Sequence, residues 1–335
     1  MGSDHTTPRP LFVVGCARSG TTLLQLMLHA HPRIAIPPET RFLTEAYAQR
    51  DRFGDLRRTD HLDALVDWLF SDQQQRLTRD LGLDIEGFRA RAHREEPTLG
   101  TILGLVFRMY AERWGKPRWG DKRPSYFQHI DELLRLFPDA QIVHLIRDGR
   151  DCVASLKHMP WWSSGSIGAM HNWVAAMRVG ARCRRRLRAD QYHELYYEDL
   201  VTDPSSEVAR LCAFLDEPFD QAMLEPAEVA ESAVPRRKRK RHHARTTQGI
   251  SDRAVGRWSD DLDPWELKLM EAVAARHLRH HGYRLEHPRR PVPPPLALAR
   301  YLRRAVRLRV GRLRRRIHER RVARRYPYEV AARLP

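Results

Sequence analysis

The sequence predicts an α/β fold: a P-loop-like open parallel sheet flanked by helices, with a helical insert and a basic C-terminal helical extension. Three observations predict it. An apolar strand, Leu11 to Val14, runs through a glycine-bounded loop into residues whose apolar spacing, Leu23, Leu24, Met27 and Leu28, is helical. A second strand, Gln141 to Ile146, repeats the plan, passing through Arg147-Asp-Gly-Arg-Asp151 into a helix expected from about Cys152. A third extended piece, Arg118 to Lys122, ends in a turn, where open α/β sheets place residues that touch ligands.

The first loop carries the chemistry. Its glycines, Gly15 and Gly20, bracket a turn that aims backbone N–H groups and a helix N-terminus at one point, which makes an anion site. Set against the triphosphatase loop G-x-x-x-x-G-K-[ST], it keeps both glycines and a hydroxyl at Thr22 but has Thr21 where the lysine belongs. A triphosphate with magnesium therefore loses its main cation. The loop instead contains Arg18, followed by Ser19.

Along the chain, His31-Pro32 ends the first helix, and Pro37-Pro38-Glu39-Thr40 is a rigid turn that holds Glu39 at the entrance of a helix near Phe42. An acid there is ordinarily a helix cap. Residues 41–114 read as several helices, with Leu62, Leu65, Val66, Leu69 and then Ile102, Leu105, Val106, Met109 as their apolar faces. Lys122 closes the extended piece, and a helix is expected from Tyr126 to Phe137. Arg147 leaves the Gln141–Ile146 strand, and Ser155 follows two helical turns on, so a guanidinium and a hydroxyl can converge on a second phosphate; the alternative reading is a guanidinium that pairs with Asp148 or Asp151.

A long helix is predicted over about 167–187, a strand over 192–197, and a helix from Asp203-Pro204 through Leu215. Residues 226–250 lose periodicity and read as an exposed or disordered loop containing Arg236 to Arg241, and the last helix of the body spans about Pro264 to His280. His277 and His281 have a metal-like spacing without a third ligand nearby, and no metal is expected. After a proline linker, 288–295, the residues Leu298, Leu302, Val306, Val310, Leu313 and Ile317 recur every three or four positions among arginines. This basic amphipathic helix suits an anionic membrane surface, self-association or docking on its own body. No reader motif or stacking platform points to nucleic acid.

The net charge of +17 is concentrated. Residues 300–325 hold thirteen arginines against Glu319, a net of +12, and residues 236–245 hold seven basic residues and no acid; subtracting both leaves −2 for the rest. Four cysteines, at 16, 152, 183 and 212, form no CxxC pair and no zinc-site spacing. Neither an N-terminal signal nor eighteen uninterrupted apolar residues are present, so the expected location is cytoplasmic, with a peripheral membrane contact through 296–325 as an option. The domain reading is a flexible N-terminus over 1–9, a body over 10–285 with its helical insert over about 41–114, and a proline linker with its arginine-rich tail over 286–335.

With both loops in view, the chain resembles the sulfotransferases that use 3'-phosphoadenosine-5'-phosphosulfate (PAPS), and among them the tyrosylprotein sulfotransferases and their bacterial relatives. The resemblance covers roughly residues 10–285. It implies that Arg18, Ser19, Gly20, Thr21 and Thr22 hold the 5'-phosphosulfate, and that Arg147 and Ser155 hold the 3'-phosphate. It implies Glu39 as base and Lys122 as the lysine after the next strand. Tyr197, in Tyr196-Tyr-Glu-Asp-Leu200, matches a shared strand end; Arg257, in Gly256-Arg-Trp258, and Thr246 are implied as late nucleotide contacts. The cytosolic enzymes' K-G-x-x-G-D-W-type signature is absent, and their histidine base has no assigned counterpart, although His129 and His144 lie near in sequence. The implied reaction is sulfuryl transfer from PAPS, with the 3',5'-bisphosphate PAP as product, to a hydroxyl on a small molecule, glycan or lipid ahead of a peptide tyrosine. The alternatives are an atypical P-loop nucleotide kinase and a non-catalytic basic binding protein.

Overall fold

The computed structural model describes residues 9–71, 81–233, 249–289 and 291–332. Five parallel strands form one sheet: β1 (Leu11–Gly15), β2 (Ile34–Ala35), β3 (Arg118–Lys122), β4 (Gln141–Ile146) and β5 (Tyr192–Tyr196). Their spatial order is β2-β3-β1-β4-β5, which puts β1 at the centre. Gly15 stands in register with Leu145, so the loops leaving β1 and β4 emerge side by side. From there the chain turns towards β2 after β1 and towards β5 after β4. The crevice between two such diverging connections is where open α/β sheets bind ligands.

Helices cover both faces. In chain order they are α1 (Thr21–Ala30), α2 (Phe42–Ala48), α3 (Thr59–Phe70), α4 (Ile85–Ala92), α5 (Leu99–Arg113), α6 (Ile130–Leu136) and α7 (Gly149–Lys157). They continue as α8 (Gly165–Arg186), α9 (Tyr197–Thr202), α10 (Pro204–Leu215), α11 (Pro226–Ala233), α12 (Trp258–Asp261), α13 (Pro264–His280) and α14 (Pro295–Arg325). The alternation of β1 sorts the core: Phe12 and Val14 face one layer, Leu11 and Val13 the other, and all four are fully buried. The first layer contains the insert, where Phe42 stacks on Phe107 and Phe107 on Trp119, with centroids 5.1 and 4.8 Å apart. The second layer packs α1 and α10 through Leu24, Met27, Val208 and Leu211.

Local chemistry sets the helix starts. Asp203 accepts from the N–H of Ser206 ahead of Pro204, and Asp263 forms a capping box with Glu266 ahead of Pro264. Three predicted elements need correction. The helix expected over Tyr126–Phe137 is a 3-10 segment, Pro124–His129, followed by α6; Pro124 at the first position starts a tight i→i+3 turn before the α geometry begins. The helix expected from Cys152 starts three residues earlier, because Asp148 caps it through the N–H of Arg150. The irregular stretch expected over 226–250 begins with α11, which packs against α1; residues 234–248, including Arg236 to Arg241, lie outside the described residues.

The predicted tail helix forms, but it docks through a different face from its apolar stripe. Tyr301 stacks on His171 with centroids 3.8 Å apart and planes at 9°, and Arg304 donates to Ser164 Oγ at 3.0 Å. Further on, Glu319 pairs with Arg50 at 2.8 Å and accepts from Tyr47 OH at 3.0 Å, while Val322 and Tyr326 are buried. The chain after α14 then returns to the body, where Val330 O accepts from Gly100 N at 2.8 Å.

Candidate active site

The β1–α1 loop is held open from its own backbone and from α8. Ser19 N donates to Cys16 O at 3.1 Å, and Asn172 Oδ1 accepts from Ala17 N at 3.3 Å and from Cys16 Sγ at 3.1 Å. Arg18 and Gly20 take positive φ, 71° and 96°. For Arg18 that is an uncommon conformation, of the kind retained at functional turns. Gly20 is the N-cap of α1, with no side-chain cap and no acid in the first turn. The partial positive charge of α1 is thus left for an anion. Ser19 Oγ is fully buried and has no hydrogen-bond partner among the described residues. A phosphate oxygen in this loop supplies what that hydroxyl and the uncapped N–H groups lack, so the residues present fit a phosphosulfate group.

The second edge meets the first through side chains. Arg18 Nε donates to Ser155 Oγ at 3.1 Å, which joins two of the residues expected to hold different groups of the donor. Arg147 is buried; its Nη1 donates to Arg18 O at 3.1 Å and its Nη2 to Ala254 O, while its guanidinium lies 4.6 Å from the centre of the Tyr197 ring. The pairing with Asp151 that the sequence left open is present at 3.4 Å. Asp148 instead pairs with Arg150 at 2.7 Å. Tyr197 also floors the first loop, since a Cβ on Gly20 would stand 2.4 Å from Tyr197 Cδ2.

Glu39 and Lys122 come together on the other side of the loop. Lys122 Nζ lies 3.5 Å from Thr22 Oγ1 and 3.5 Å from Glu39 Oε2, and Arg123 Nε lies 3.9 Å from Glu39 Oε1. Lys122 is buried, whereas the Glu39 side chain keeps 37% of its exposure, enough to meet an incoming molecule. A cation therefore bridges the anion loop and a carboxylate. Beneath them, Asp121 fixes both neighbours: Thr40 Oγ1 and Tyr126 OH donate to its Oδ2, each at 2.7 Å, and Lys122 N donates to its Oδ1 at 2.8 Å. Burial raises the Asp121 carboxyl to about 6, against the pull of the two hydroxyl donors.

The remaining expectations divide. His144 is buried within β4, bonded through Nδ1 to Tyr192 OH at 2.7 Å and lowered to about 4 by burial; His129 pairs with Glu132 at 3.4 Å. Neither pairs with Lys122, whereas Glu39 does. The Gly256–Trp258 segment is brought to the second edge by Asp151, whose carboxylate accepts from Gly256 N and Trp258 N, both at 2.9 Å. Arg257 itself pairs with Asp261 at 3.5 Å. Thr246 lies outside the described residues. Sequence reasoning missed Asn172, Asp121 and Asp151 as supports of the site, and also Glu198, which accepts from Asp148 N at 2.9 Å. Among the described residues, no group of three or more His, Cys, Asp and Glu is arranged to hold a metal.

An anion loop and a cation–carboxylate pair at the switch point of a parallel sheet define a class: α/β proteins that hold a phosphorylated donor across the ends of their central strands. A model described as the sulfotransferase family matches residues 10–221, and the chain belongs to that family. The protein-tyrosine sulfotransferase of Drosophila melanogaster is 25% identical over 272 residues, covering 79% of this chain. Protein-tyrosine sulfotransferase A of Caenorhabditis elegans is 24% identical over 287 residues, covering 84% of this chain. The matched stretch spans half the length of the fly protein and 69% of the nematode one. Among solved structures, the sulfotransferase domain from the Synechococcus PCC 7002 olefin synthase is similar with a TM-score of 0.54 at 25% identity, covering 82% of this chain and 98% of that domain. The sulfotransferase domain from the curacin biosynthetic pathway shares the fold with a TM-score of 0.57 at 21% identity, covering 83% and 99%.

Proposed function

We propose that the protein transfers a sulfuryl group from PAPS to an acceptor hydroxyl. The observation that carries this reading is the Thr22–Lys122–Glu39 chain, which puts a buried ammonium between the uncapped anion loop and an accessible carboxylate. PAPS supplies the activated sulfuryl group; the residues supply positioning and charge. Glu39 takes the proton of the acceptor hydroxyl as its oxygen bonds to sulfur, and the bond from sulfur to the 5'-phosphate oxygen breaks. Lys122, Arg18 and the α1 N-terminus carry the charge that grows on the leaving phosphate. Arg147 and Ser155, with the Tyr197 ring, fix the 3'-phosphate end.

The acceptor in this reading is a hydroxyl on a small molecule, glycan or lipid. The names of the relatives favour a second one, a peptide tyrosine, so acceptor screens need both. Calorimetric titration with adenosine 3',5'-bisphosphate, without magnesium and against ATP, is the test. Tight bisphosphate binding that Arg147→Ala removes supports the donor assignment; magnesium-dependent ATP binding in its place overturns it in favour of a nucleotide kinase. With a turnover assay in hand, Glu39→Gln should lose on the order of 10²–10³ in rate while keeping bisphosphate affinity. Full turnover by that variant removes the base assignment and leaves the donor site standing.

A further inference from the structure

The tail helix α14 presents a second recognition surface, independent of the donor pocket. At about 100° per residue, the positions that dock on the body, Tyr301, Arg304, Arg315, Glu319 and Val322, fall on one side. The apolar stripe falls on the opposite side, within an arc of about 80°. Its members Leu302, Val306, Val310, Leu313 and Ile317 are 55, 57, 45, 59 and 44% exposed. Arg303, Arg307 and Arg314 flank one margin of the stripe and Arg309, Arg316 and Arg320 the other. Among the described residues, none of these six arginines forms an ion pair. The one acid of the 300–325 segment, Glu319, is spent on the docked side against Arg50.

We propose that this face docks on the surface of an anionic phospholipid bilayer, with α14 lying in the interface. The stripe enters the boundary between headgroups and acyl chains, and arginines on both margins reach phosphates in the plane above it. Charge decides against the other occupants. A second copy would set one arginine-lined face against another, and a nucleic acid would match the arginines but leave the apolar stripe in water. No described helix is long and apolar enough to cross a membrane, so the contact is peripheral. Docking at both ends of α14 holds the helix in shape before it meets lipid, which lowers the ordering cost of binding.

Co-sedimentation of the full chain with phosphatidylcholine vesicles, with and without phosphatidylserine, tests the proposal. Binding to the anionic vesicles should exceed binding to neutral ones by at least about tenfold, at about fivefold per engaged arginine, and should weaken as salt is raised. Val306→Asp combined with Leu313→Asp should abolish it without moving the thermal unfolding midpoint, since both side chains are exposed. Three outcomes overturn the proposal: equal binding to both vesicle types, anionic binding that survives the double substitution, or no vesicle binding alongside a dimer that the double substitution dissolves.

Discussion

The two strand–loop–helix edges share a plan and differ in what occupies the helix N-terminus. At the β1–α1 edge the N-cap is Gly20 and the first turn has no acid, so backbone N–H groups and helix dipole are left for a ligand. At the β4–α7 edge the protein fills that place itself: Asp148 caps the helix, Asp151 sits in its first turn, and both are engaged. In the proposed reading, the second edge therefore meets an anion only through side chains, Arg147 and Ser155. One edge offers a cradle and the other a pair of fingers, and substitutions should separate them.

The largest effect is expected at Gly20. Gly20→Ala puts a methyl 2.4 Å from Tyr197 Cδ2 at a φ of 96°, so it should cost about 2–3 kcal/mol of stability and at least about 100-fold in bisphosphate affinity. Chemical denaturation and titration measure the two losses. If stability falls while affinity holds, the cradle is not the anion site. Asp148→Ala should do the reverse at the second edge, costing about 1–2 kcal/mol through the lost cap and changing affinity less than about threefold. A tenfold gain in affinity there would mean that the capped helix end had been a competing anion site.

The smallest effect is a pH dependence shared by both edges. His29, in the last turn of α1, is lowered to about 3 and His144, in β4, to about 4, in both cases chiefly by burial. Because both folded values lie below the ordinary 6.5, the unfolded chain binds protons first as pH falls. The stability these neutral rings contribute is complete above about 6.5 and is lost towards about 4 for His144 and about 3 for His29. Each group adds a slope of at most about 1.4 kcal/mol per pH unit. His144→Gln should flatten the upper part of the acid limb and leave the lower part, as followed by urea titrations at several pH values.

What was legible in the sequence was contiguous. The strand Leu11–Gly15, its loop, Glu39 after a His-Pro helix end and Lys122 at a strand end are read from runs of neighbouring residues, and the structure brings all of them to one place. The supports were not legible because their partners are remote: Asn172 acts on the loop from 155 positions away, and Asp121 meets Thr40 across 81. Over six residues, a 3-10 turn and an α-helix differ too little in period to be told apart, which explains the misreading at Pro124–His129. The α14 stripe was visible as periodicity, but its direction was decided by Tyr301 and Glu319, whose partners His171 and Arg50 carry no local signal.

The grip of Asp151 on Gly256 and Trp258 spans 105 and 107 positions. At a synthesis rate of 5–20 residues per second, that separation is on the order of ten seconds of translation. A ribosome-bound chain thus displays its phosphate loop, with Arg147 and Asp151 beside it, well before the late wall of the pocket has been made. The candidate site therefore stays open on one side during synthesis until the Gly256–Trp258 segment reaches Asp151.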